Sequence, residues 1–99
     1  MALHQALTYA GEKQQMFFQE IIQLCAIPSV SASTEHKEDI LRTAQWLADK
    51  LKAIGIDQVA IMETGGNPIV YGEKKCSKKN AKTVLIYGHY DVQPAEKET

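Results

Sequence analysis

Apolar residues recur with a helical period along the first half of the chain and then switch to short β-type runs. From Ala2 to Cys25 the pattern is helical, with an interruption near Gly11. Phe17, Phe18, Ile21, Leu24 and Cys25 share one side of a 3.6-residue wheel, and Gln19, Glu20 and Gln23 lie largely opposite. Pro28 ends this helix, because the residue before a proline is pushed out of the helical region. A polar loop follows from Ser29 to Ser33.

The second helix starts at Ser33 or Thr34 as N-cap, and Glu35 then meets the positive end of the helix dipole. Ile40, Ala44, Leu47, Leu51 and Ile54 form its apolar stripe, widened by Leu41 and Ala48. Glu38 and Arg42 are four apart and positioned to pair. Gly55 supplies the stop, since glycine accepts the left-handed conformation. Beyond it, Val59 and Ile61, with Ile56, predict a short strand. Gly65-Gly66-Asn67-Pro68 is a turn, Ile69-Val70-Tyr71 a second strand, and the lysine-rich stretch from Lys74 to Lys82 an exposed loop. Thr83-Val84-Leu85-Ile86-Tyr87 is a continuous apolar run, the mark of a strand buried on both faces.

The predicted order is helix, helix and three strands. This is an α/β architecture in which the helices cover an incomplete sheet. The most buried strand falls close to Thr99, so residues 1–99 read as the beginning of a larger domain.

Composition narrows the function classes. The chain of 99 residues is 44% hydrophobic and 23% charged, ordinary for a folded domain. A net charge of −1 leaves no basic footprint for nucleic acid, and no apolar run reaches membrane-span length. The N-terminus does not read as a secretory signal. Cys25 and Cys76 form no C-x-x-C unit. A cytoplasmic protein with ordinary thiols is expected, Cys25 in the core and Cys76 in a solvated loop.

The chemistry concentrates in Tyr87-Gly88-His89-Tyr90-Asp91-Val92-Gln93-Pro94. Ligands collect outside the carboxyl ends of strands in open α/β sheets. Residues two apart on extended backbone face the same side, so His89 and Asp91 can point together and Tyr90 away. A neutral imidazole binds zinc well when its other nitrogen donates to a carboxylate. His-x-Asp at a strand end serves either that arrangement or simple turn chemistry. The remaining features have structural readings. His36 and His4 are exposed, Trp46 makes a flank contact, and Asn67 follows turn geometry.

The segment Leu85-Ile86-Tyr87-Gly88-His89-Tyr90-Asp91-Val92-Gln93-Pro94 resembles the first metal-binding motif of the di-zinc metallopeptidases related to aminoacylase, glutamate carboxypeptidase and carnosine dipeptidase, closest to the dipeptidase branch. Ile27-Pro28-Ser29-Val30-Ser31, Ala44-x-Trp46-Leu47 and Gly66-Asn67-Pro68-Ile69-Val70-Tyr71-Gly72 resemble upstream family segments in the same order.

The resemblance implies a partial zinc-peptidase-like three-layer sandwich, two N-terminal helices packed on an incomplete sheet. It implies His89 as a ligand of one of two zinc ions, or of other divalent metals in their place. Asp91 becomes the active-site aspartate that orients it. It also implies hydrolysis of dipeptides or N-acyl amino acids by metal-activated water. The bridging aspartate, further ligands and general-base glutamate of that family lie beyond the motif. Residues 1–99 are therefore expected to be the N-terminal part of a catalytic domain, inactive in isolation. The competing expectation is a non-catalytic unit that forms a homo-oligomer through an exposed sheet edge.

Overall fold

The longest helix begins where its sequence signals place it. In the computed structural model, which describes residues 2–95, the Ser33 hydroxyl accepts from the Glu35 N–H at 3.2 Å and opens a 3-10 turn, Thr34–His36. The helices are α1 (Ala2–Glu12), α2 (Gln14–Ala26) and α3 (Lys37–Ala53). Glu38 and Asp39 occupy the first turn of α3, and Lys50 and Lys52 the last, both favourable to the helix dipole. At the far end Gly55, at φ +94°, donates to the Lys52 carbonyl and Ile56 donates to the Leu51 carbonyl. This paired closure is a Schellman motif and needs the left-handed residue that glycine supplies.

Ile40, Ala44 and Ala48 bury one face of α3 together with Thr43, whose hydroxyl donates to the Asp39 carbonyl at 2.8 Å. The expected stripe is narrower than its pattern. Leu47 and Leu51 are half-buried, whereas Leu41 and Ile54 are exposed. Ile54 has left the helix as its cap, which turns it off the buried face. Arg42 pairs with Asp39 at 3.1 Å, not with Glu38 as expected, because Asp39 also holds His36 Nδ1 at 2.8 Å and so sits fixed on that side. His36 is thereby half-buried, where full exposure was expected.

Two antiparallel strands follow, β1 (Gln58–Met62) and β2 (Ile69–Glu73), paired from Gln58↔Glu73 to Met62↔Ile69. Ile56 belongs to the helix closure and not to β1. Val59, Ile61 and Val70 are half-buried on the face that packs on α3. Gly72 permits the closest approach: a Cβ there would lie 3.1 Å from a Leu51 methyl and 3.2 Å from an Ile56 methyl. The strands are joined through Gly65, at φ +85°, with the Thr64 hydroxyl donating to the Asn67 carbonyl at 2.8 Å.

Further expectations are corrected. Residues 83–87 form no strand, and among the described residues the sheet has two strands. Val84, Leu85, Ile86 and Tyr87 are 81–90% exposed. Apolar content makes burial favourable, but a strand exists only as a ladder, and no described strand pairs with this run. Next, the N-terminal helices do not lie on the sheet as a pair. Among the described residues, α3 is the helix that packs against both strands. Helix α2 has no fully buried residue; Phe17 and Leu24 are half-buried, while Phe18, Ile21 and Cys25 are exposed. Among the described residues no layer covers its apolar side, and Cys25 is not in the core. The helical interruption expected near Gly11 falls at Lys13. It is slight, since Lys13 N–H reaches the Tyr9 carbonyl and Phe17 N–H the Lys13 carbonyl.

The rest is an α/β arrangement smaller than a three-layer sandwich. Trp46 is half-buried on the flank of α3, with Lys50 Nζ 5.2 Å from its ring centre and 3.5 Å from Glu20. His4 lies exposed on α1, and Cys76 is exposed in the lysine-rich loop. Among the described residues no helix is long and apolar enough to cross a membrane.

Candidate metal centre

The loop after α2 holds the site together. Val30 and Ser29 are buried, and Ser29 is fully so. The Ser29 hydroxyl donates to the Tyr90 carbonyl at 3.0 Å, while the Ser29 carbonyl accepts from Val92 N–H at 3.0 Å. Two bonds from one residue thus brace both sides of Asp91 across some sixty residues of sequence. This bracing preserves extended alternation without a strand.

Side chains follow that alternation. Tyr90 is half-buried, and its hydroxyl donates to the carbonyl of buried Pro68 at 2.6 Å. His89 and Asp91 meet: His89 Nδ1 lies 2.8 Å from Asp91 Oδ1. The second carboxylate oxygen, Oδ2, accepts from the Ser31 hydroxyl at 2.5 Å. The Ser31 hydrogen bond first, and then His89, hold the Asp91 carboxyl below its ordinary pKa. Removal from water, and then the Asp91 charge, push the Tyr90 phenol upward, so it stays a donor to Pro68.

An ionised carboxylate only accepts, so Nδ1 is the donor to Asp91, and in the neutral ring this leaves Nε2 as the nitrogen with a lone pair. The His89 side chain is 78% exposed and that of Asp91 39%, which leaves the imidazole approachable. This donor set fits one metal ligand with its orienting carboxylate. It does not by itself make a centre. Among the described residues no group of three His, Cys, Asp or Glu side chains could hold an ion. The two residues border a hollow of about 790 Å³ shared with Leu47, Leu51, Asn67 and Val70.

Ser31 was legible only as part of a polar loop. No spacing rule links it to Asp91, since the contact is made by the tertiary brace at Ser29.

The chain is 34% identical over 99 aligned positions to the Cys-Gly metallodipeptidase DUG1 of Candida albicans, covering 88% of this chain and 20% of that protein. It is 29% identical over 93 positions to the protein of the same name from Saccharomyces cerevisiae, covering 83% and 19%. It is 30% identical over 83 positions to the cysteinylglycine-S-conjugate dipeptidase of Corynebacterium striatum, covering 84% and 18%. No family model and no solved structure matches the chain. The chain spans about a fifth of the length of these curated relatives, two of which are named metallodipeptidases and the third a dipeptidase.

Proposed function

We propose that this chain supplies the first metal ligand of a zinc-dependent dipeptidase of the aminoacylase and carnosine dipeptidase family, and forms the N-terminal part of its catalytic domain. His89 is the ligand through Nε2, and Asp91 orients it. The observation that carries this reading is the His89 Nδ1 contact with a carboxylate held ionised. A bound pair of metal ions would polarise a peptide carbonyl and supply hydroxide from water. The substrate class is dipeptides, with Cys-Gly compounds as first probes because the relatives' names specify them. A cytoplasmic setting belongs to the same proposal, since exposed unbridged thiols persist in a reducing compartment.

Catalytic zinc takes three protein ligands and a water. Residues 1–99 alone should therefore bind zinc weakly at His89 and hydrolyse no Cys-Gly. The test is a zinc titration followed by the His89 imidazole ¹⁵N resonances, with Cys-Gly cleavage measured in parallel. A selective shift of Nε2, lost in Asp91→Ala, supports the reading. A zinc response confined to other histidines overturns it.

One observation favours a second reading, self-association without catalysis. Val84 to Tyr87 present an exposed, unpaired β-type run, a template for pairing with another copy. Sedimentation velocity across a concentration series tests it: a dimer that grows with concentration supports it, and a monomer throughout overturns it.

A further inference from the structure

We propose that Ser31 is a positioning residue of this site: its hydroxyl locks the Asp91 carboxylate in the orientation that in turn locks the His89 ring. The inference rests on the reading of His89 as a metal ligand for its purpose, though not for its geometry.

A carboxylate that bonds through one oxygen can still swing about its terminal torsion, which is broad and nearly unhindered. Asp91 is partnered at both ends. Oδ1 meets His89 Nδ1 at 2.8 Å and Oδ2 meets Ser31 Oγ at 2.5 Å. Two bonds on opposite oxygens fix the plane, and a fixed plane selects one imidazole orientation and one tautomer.

The loop can act as a rigid mount. Ser31 follows buried Ser29 and Val30. Ser29 N–H bonds the Ile27 carbonyl at 2.7 Å, Val30 N–H bonds the Pro28 carbonyl at 2.8 Å, and Ser29 itself grips Tyr90 and Val92. The Ser31 hydroxyl is therefore presented to Asp91 by backbone that is tied to the same segment. Its side chain is exposed enough for replacement without opening a core.

Ser31→Thr and Ser31→Val have nearly the same shape and differ in the hydroxyl, so the pair isolates the donor. The test compares them with the unsubstituted chain by imidazole ¹⁵N spectra without metal, at one alkaline pH where the ring is neutral. The Val92 amide reports whether the loop brace persists. The unsubstituted chain and Ser31→Thr should hold His89 mainly as the Nδ1–H tautomer. Ser31→Val should move it toward the Nε2–H form, and zinc affinity at His89 should fall about tenfold, at the low end for groups behind a ligand. In an Asp91→Asn background the two variants should no longer differ, since Ser31 acts through Asp91. Equal tautomer populations in Ser31→Val and Ser31→Thr overturn the proposal. A zinc-silent His89 alongside a clear tautomer difference would instead remove the metal reading and leave the positioning intact.

Discussion

The Tyr90 hydroxyl donates to the Pro68 carbonyl at 2.6 Å, on the side of the backbone away from His89 and Asp91. The bond ties the chemistry-bearing segment to the turn that ends at β2. Removing it should loosen that docking. Tyr90→Phe is expected to cost about 1 kcal/mol, the usual net worth of such a bond. Tyr71 offers the control, because its hydroxyl donates to Glu73 on the exposed face. Tyr71→Phe should leave the urea midpoint unchanged, while Tyr90→Phe lowers it.

Ser29 is the stronger brace. Ser29→Ala removes the donor to the Tyr90 carbonyl from a fully buried position, at a cost of about 1–3 kcal/mol. The Val92 amide, which bonds the Ser29 carbonyl, should then exchange hydrogen faster. Unchanged Val92 protection would show that the segment is held by other contacts.

These braces mark the limit of what the sequence discloses. Helix α3 was legible because its signals are local: a cap at Ser33, a repeat through Ile40, Ala44 and Ala48, and a glycine stop at Gly55. The alternation of His89, Tyr90 and Asp91 was legible because it needs only extended backbone. The apolar side of α2 and the run Val84–Tyr87 have equally clear patterns, yet the run is exposed and α2 keeps only Phe17 and Leu24 of its expected apolar side half-buried. A pattern states that burial would be favourable; it does not supply the surface that does the burying. Ser31 escaped for a related reason, since its partner is set by the fold and not by spacing.

The exposed run gives a direct prediction. Ile86→Lys places a charge on an apolar edge, the device by which natural edges resist pairing. It should suppress concentration-dependent association while leaving the far-UV circular dichroism unchanged, because residue 86 contributes to no described helix or strand. Association that survives Ile86→Lys would point instead to the exposed apolar side of α2.

Asp91 yields a prediction with a definite sign. Its carboxyl is held below the ordinary aspartate value by Ser31 first and His89 second. A depressed carboxylate stabilises the fold at pH above the unfolded-chain value, and that contribution disappears as pH falls through the lower folded value. The contacts around Asp91 should therefore persist at neutral pH and at mild acidity, and fail only below the range where exposed aspartates have already taken up protons. Carboxyl ¹³C shifts should show Asp91 titrating below the ordinary aspartate range, and Ser31→Val should raise its midpoint. An Asp91 that titrates in the ordinary aspartate range would mean that its carboxylate is not held by Ser31 and His89 in solution.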